Sequence, residues 1–263
     1  MNKTKPTEYL KKIENMEILL TRLNASRSLV PVERQLEVLQ LGQCVLLCDP
    51  TDPASPYYNR IKGFGPEDLG KLDELLGYYP GAAPCFDMTP DHMTEEVSLA
   101  LCDKGFYPAE QLVFMYVHPQ GERVKTSEFQ IERVTKENAE EFIAWIGQSG
   151  GGMEISKEMA ARSKEYFYRK DFLNYMIRIK GQPAAMGSLF LNGEEGYIAN
   201  DYTFEAYRGR GCQLALLEHR LADAAELGVK SVYTDVVFGS ASHGNMAKSG
   251  FRTAFLNTFW MKR

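Results

Sequence analysis

The 263-residue sequence has no long apolar run, no surplus of basic residues and no paired cysteines, and each absence narrows what the chain can be. The N-terminal stretch MNKTKPTEYLKKIENMEILL scatters charge through its apolar positions, so it reads as neither a signal peptide nor a membrane span. Lys and Arg number 30 against 35 Asp and Glu, a formal net charge of -5 with a pI near 5.5. Non-specific nucleic-acid binding needs clustered cations that displace counterions, and that balance argues against it. The five cysteines are an odd count without a CxxC pair, and no histidine lies near them at metal-ligand spacing. Neither structural disulfides nor a bound metal is expected. Cys44 and Cys48, in the run QCVLLC, read as small buried hydrophobes. The expected location is cytoplasmic.

What is present is an ordinary globular composition, 44% hydrophobic and 25% charged, in a chain long enough for two modest domains. Apolar periodicity predicts helices over 7–24 and 32–41, the second starting at Pro-Val-Glu and stopping at Gly42. Strands are predicted over 44–48, 58–63, 83–88 and 107–118, with helices over 66–76 and 94–104. The polar stretch His118-Pro119-Gln120-Gly121-Glu122-Arg123 holds both punctuating residue types and is the expected boundary, dividing the chain into 1–122 and 123–263. Beyond it the pattern predicts strands over 129–134, 175–180, 184–191, 196–204, 231–237 and 252–261. Helices are predicted over 136–146, 157–166, 211–227 and 242–249. The alternation points to a mixed α/β sheet in each part. Both parts close alike: Cys102-Asp103-Lys104-Gly105-Phe106 and Ala247-Lys248-Ser249-Gly250-Phe251 each precede an aromatic-rich strand, which suggests a duplicated domain.

The richest chemistry is in Arg208-Gly209-Arg210-Gly211-Cys212-Gln213. Its glycines allow a sharp turn and leave amides uncovered, and Leu214, Leu217, Leu221, Ala224 and Ala225 form one apolar helix face behind it. Free amides and the positive end of a helix dipole make an anion site, and two arginines suit phosphate oxygens. A solvated surface turn with two arginines is the plain alternative. The spacing matches neither GxGxxG nor GxxxxGK[ST], which weakens a dinucleotide or ATP. Cys212 sits where a helix start lowers a thiol pKa, although packing is the favoured role.

With the strand before it, the VYTDVV strand and GSASHGNMAKSGFR after it, this segment resembles the GNAT superfamily of acyl-coenzyme A dependent N-acetyltransferases, whose hallmark is [RQ]xxGx[GA]. Arg208 and Gly211 match; Gln213 replaces the final glycine or alanine. The first part shares only the element order and Gly105-Phe106, so it is expected to be a degenerate copy. The resemblance implies an α+β fold of two GNAT-like domains, each a mixed, mostly antiparallel twisted sheet flanked by helices.

By the same resemblance, Arg208, Gly209, Arg210, Gly211, Cys212 and Gln213 would bind the coenzyme A pyrophosphate. Tyr202 and Thr203 on the preceding strand would contact the pantetheine arm. Asn245 is a candidate for a further cofactor contact or for capping the strand. Acyl transfer to an amine needs a base, oxyanion stabilisation and a proton for the departing thiolate. Asp201 is the sole carboxylate on the strand before the loop and is the candidate base or ammonium anchor, with Tyr202 and His243 as further catalytic candidates. The tyrosine that often serves as acid in the family is replaced by Met246. Asn200 and Glu154 are the candidate substrate contacts, the latter beside the triple glycine Gly150 to Gly152.

The implied donor is acetyl-CoA and the acceptor a small-molecule amine. A homodimer is compatible with this reading, and no nucleic-acid or membrane partner is implied. Two alternatives stand beside this one: an acyl-CoA-binding regulatory or scaffold protein of weak activity, and transfer of an aminoacyl group from tRNA, which the acidic balance disfavours.

Overall fold

The computed structural model describes residues 6–119 and 128–262, with side chains from residue 9. Of the expected boundary segment, Gln120 to Arg123 lie outside the described residues. The fold is α+β. One mixed, mostly antiparallel sheet of eleven strands runs through the molecule in the order β1-β2-β3-β4-β11-β5-β10-β9-β8-β7-β6. From one edge these are β1 Glu37–Leu41, β2 Cys44–Cys48, β3 Arg60–Lys62, β4 Cys85–Met88, β11 Arg252–Lys262 and β5 Phe106–Val117. They continue with β10 Ser231–Val237, β9 Glu195–Thr203, β8 Gln182–Asn192, β7 Phe172–Ile179 and β6 Ile131–Arg133. Among the described residues only β3 with β4 and β9 with β10 pair in parallel, so each half contributes one such pair at the corresponding place.

The two terminal strands of the sequence repeat meet at the centre. β5 and β11 pair antiparallel along their length, each entered through a left-handed glycine, Gly105 at φ 83° and Gly250 at φ 91°. β5 also pairs with β10 of the second half, and β11 with β4 of the first. The last strand of each half therefore completes the sheet of the other, and the sheet does not part where the sequence does.

Alternation along the strands separates two cores. Val113, Met115 and Val117 of β5 face the side covered by α6 Cys212–Glu226 and α7 Ala241–Lys248. Phe114 faces the side covered by α1 Pro6–Ser26 and α4 Ala139–Ser149. Ile13, Met16, Leu20 and Leu23 of α1 recur at helical spacing and are buried there. A third core under α2 Leu72–Gly77 and α3 Glu95–Asp103 joins Leu72, Leu75, Val97 and Leu101 to Phe86 and Trp260. No helix among the described residues is long and apolar enough to cross a membrane.

The helix expected over 32–41 is instead loop followed by β1. Gly42, at φ 63°, is the first of two turn residues joining β1 to β2 and does not stop a helix. Ten residues make only a marginal helix in water, whereas five of them find backbone partners on the largely buried β2.

Candidate functional site

β9 and β10 pair as a ladder where Glu195 to Tyr197 meet Ser231 to Tyr233, and Thr234 Oγ1 donates to Ile198 O at 3.3 Å just beyond. Past that point β10 keeps its pairing with β5 out to Val237, while β9 keeps its pairing with β8. The two strands separate, and a cavity of about 720 Å³ opens between them, lined by Ile198 to Asp201 on one side and Thr234 to Val237 on the other. Gln213, Ser242 and Met246 line it near the start of α6, and Asn24, Arg27, Tyr57 and Tyr58 also line it.

The loop leading to α6 is open by construction. Gly209 and Gly211 have φ of 73° and 82°, and Gly211 caps α6 without a side chain. The first turn of α6 holds no acid, whereas α3, α4 and α5 Lys157–Ser163 each carry at least one there. The helix N-terminus is thus left with neither side-chain cap nor countercharge, as an anion site requires. Arg208 and Arg210 are exposed; Arg208 Nε donates to Thr203 O at 3.4 Å, and Arg210 sits over the Tyr207 ring at 5.4 Å. Cys212 is buried, and burial pushes its thiol up rather than down, so packing wins over the helix-start effect. Gln213 fills the place of the family's small residue with a polar bridge. Its Nε2 donates to Ser242 Oγ at 3.1 Å and to Asp201 Oδ2 at 3.4 Å, and its Oε1 accepts from Asn245 Nδ2 at 2.8 Å. Asn245 therefore ties α7 to the loop.

Asp201 lines the cavity, but its carboxylate is committed elsewhere. Oδ1 lies 2.6 Å from Nη1 of Arg220, a fully buried guanidinium on α6 that also donates to Leu216 O and Ser188 O. The contact is an ion pair without hydrogen-bond alignment, since Oδ1 accepts no hydrogen bond. Gly187 makes room for it: a Cβ there would fall 2.5 Å from Oδ1 and 2.8 Å from Nη1. Opposite Gly187 the β8 and β9 register slips, with Asn200 in the left-handed region at φ 55°. Asn200 lines the cavity, accepts from Arg27 Nη2 at 3.1 Å and donates to Ser188 Oγ at 3.3 Å.

The remaining expected residues are dispersed. Tyr202 lines a smaller cavity on the α4 side and packs edge-on against Phe204 at 5.1 Å. His243 is outside the cavity lining, its Nδ1 accepting from Gly239 N at 3.2 Å and its ring beside Phe238. Glu154 is exposed and does not line the cavity, whereas its neighbour Met153 does. Met246 is buried at the cavity edge and offers no proton.

The residue that sequence reasoning passed over is Asp235 on β10. It lines the cavity, and Tyr197 donates a hydrogen bond to its Oδ1 at 2.6 Å. Burial, then the charge of Glu17, pushes its carboxyl up to about 6. Glu17 belongs to a buried cluster between α1 and the first half. Burial alone would raise it, but Lys62 and Arg60, at 2.9 and 2.6 Å, hold it down to about 2. Asp87, bonded to Lys62 and to Asn257, makes the cluster two anions and two cations. Asp235 stands outside this balance. Nothing in its VYTDVV context marks it, because a carboxylate facing a cleft and one facing water share the same period.

A family model for the acetyltransferase (GNAT) family matches residues 132–251. The likeness to this family is carried by the second part of the chain, from β6 up to the start of β11. Two similar solved structures extend over nearly the whole chain. A GCN5-related N-acetyltransferase from Kribbella flavida is 15% identical with a TM-score of 0.63, covering 93% of this chain and 94% of that one. A conserved protein of unknown function from Staphylococcus epidermidis is 10% identical with a TM-score of 0.61, covering 87% and 94%. At such identities the likeness is one of fold. No curated protein matches. Among the described residues, no group of His, Cys, Asp and Glu could hold a metal ion.

Proposed function

We propose that the chain is an N-acetyltransferase that moves an acetyl group from acetyl-CoA to a primary amine of a small molecule. The observation that carries this is the start of α6, without cap or acid, opening beside the gap between β9 and β10. Arg208 to Gln213 would hold the pyrophosphate, and the edge of β9 that faces the cavity beyond Ile198 would receive the pantetheine arm. Thr203 gives its carbonyl to Arg208 and so helps set the loop.

In this proposal Asp235 is the base, facing the cavity with a carboxyl held near the pH at which an amine must lose its proton. Asp201 positions α6 against the β9 irregularity through Arg220. The amine nitrogen attacks the thioester carbonyl, its proton passes to Asp235, and the tetrahedral intermediate collapses with release of the thiolate. Ser242 Oγ accepts from Gln213, which leaves its own proton free to hydrogen-bond that thiolate.

A second reading, an acyl-CoA-binding regulator without turnover, draws on Met246 where a proton donor is expected. One experiment separates the two: acetyl-CoA with a panel of small amines, followed by thiol release. Release above the rate without amine supports the enzyme; tight coenzyme A binding with no release from any amine supports the regulator.

A further inference from the structure

Four charged side chains line the cavity between β9 and β10, namely Arg27, Arg34, Asp201 and Asp235. Two are neutralised by the protein itself. Arg34 bonds Asp49 and Asp52 at 2.8 and 3.1 Å, and Asp201 pairs with Arg220. The other two have no ion-pair partner among the described residues. Arg27 donates from Nε to Asn24 Oδ1 at 2.8 Å and from Nη2 to Asn200 Oδ1 at 3.1 Å, both neutral amides, and lies over the Phe167 and Phe172 rings at 5.3 and 5.0 Å. Its Nη1 has no hydrogen bond among the described residues. Asp235 receives only the phenol of Tyr197.

A guanidinium taken partly out of water and held by neutral groups retains donors for an anion, and a carboxylate held only by a phenol retains room for a cation. One small ligand that carries both charges satisfies both residues. Taking the acetyl-transfer reading as its basis, we infer that the acceptor is an α-amino acid or a close analogue, its carboxylate bound by Arg27 and its amine directed at Asp235. Leu20, Leu29, Tyr57 and Tyr58 line the cavity beside Arg27 and favour an apolar or aromatic side chain. Arg27 lies outside residues 132–251, so the acceptor's anchor comes from the turn that follows α1 and not from the part matched by the family model.

The test uses the full-length protein with L-leucine, L-phenylalanine and their carboxamides, which keep the amine and lose the carboxylate charge. Thiol release from acetyl-CoA and calorimetric binding, with and without coenzyme A, are measured for all four. The acids are expected to exceed the amides by about tenfold or more in kcat/KM, as a charge-assisted contact provides. In Arg27→Gln and Arg27→Lys that ratio falls toward one, through KM for the acids rather than kcat, with circular dichroism confirming that both variants fold. Amides equal to acids, an acid preference unchanged in both variants, or no binding and no turnover with any of the four overturns the inference. Acids that bind while amides do not, with no thiol released, uphold the acceptor site and overturn acetyl transfer.

Discussion

The two halves contain the same parallel strand pair and differ in what lies between and after its strands. In the second half, β9 leads through Gly209 and Gly211 into the long helix α6, whose first turn holds no acid. In the first half, β3 leads through Gly63 into a 3-10 turn, Pro66–Lys71, with Pro at its start and Glu67 and Asp68 in its first turn. Proline removes an amide and the acids occupy the positive end, so the anion site is absent there. The clefts differ in the same sense. β9 and β10 separate to open a cavity, whereas β3 stays paired with β4 throughout, with Arg60, Lys62, Glu17 and Asp87 buried beside it. One half has a cavity beside its parallel pair; the other has buried charge there that holds α1 to the sheet.

The largest effect is expected from separating the halves. Residues 123–263 expressed alone lack β5, which leaves β10 and β11 without their shared neighbour. The fragment is predicted to be unfolded by circular dichroism and restored by adding a peptide of residues 106–117. A fragment that folds and binds coenzyme A unaided would show the halves to be independent.

Glu17→Ala leaves two buried cations facing a single carboxylate, and is predicted to cost about 3–5 kcal/mol in denaturant unfolding. Because Glu17 is held down to about 2, its contribution is complete above its ordinary value of 4.5 and fades as pH falls toward about 2. Coenzyme A affinity of the folded fraction should be unchanged, which marks this cleft as structural.

Asp235→Asn has the opposite signature. Thiol release should fall by about a hundredfold or more, the usual loss for a removed base. In the native protein kcat/KM should drop as pH falls through about 6, and that limb should vanish in the variant. Tyr197, Glu17, Arg60 and Asp87 all act on this carboxyl, so the limb should survive substitutions remote from them. Its raised value also means that ionisation opposes folding, so native stability declines as pH rises from about 4 to about 6 and less so in Asp235→Asn. A variant that is unstable but still active would reverse the assigned roles.

The smallest effects belong to the loop taken one residue at a time. Arg208→Ala is exposed and should weaken coenzyme A binding about three- to tenfold. Gly211→Ala forces a side chain into φ 82°, a strain of about 1–2 kcal/mol, and should weaken binding by a similar factor. Glu67→Gln with Asp68→Asn in the first half should not create a second site.

Most of this architecture is legible in the residues, because long periodic segments such as Phe106–Val117 and Cys212–Glu226 report their own burial. Gly42 misled because glycine ends a helix and turns a hairpin equally well, and only the partner strand decides between them. The loop from Arg208 to Gln213, proposed to hold the cofactor, is contiguous and could be found by motif. The acceptor side is not: Arg27, Tyr57, Asn200 and Asp235 come from four separate segments, and nothing local in the sequence links them. Asp201 was conspicuous as the sole carboxylate on the strand expected before the loop, yet its partner Arg220 lies on a helix whose apolar pattern gives no sign of a buried cation.

Calorimetric titration of the full chain with coenzyme A tests the difference between the halves most directly. One site per chain is predicted, weakened by Arg208→Ala and by Gly211→Ala and indifferent to changes at Glu67 and Asp68. Two sites, no site, or a single site that ignores the α6 loop would contradict it.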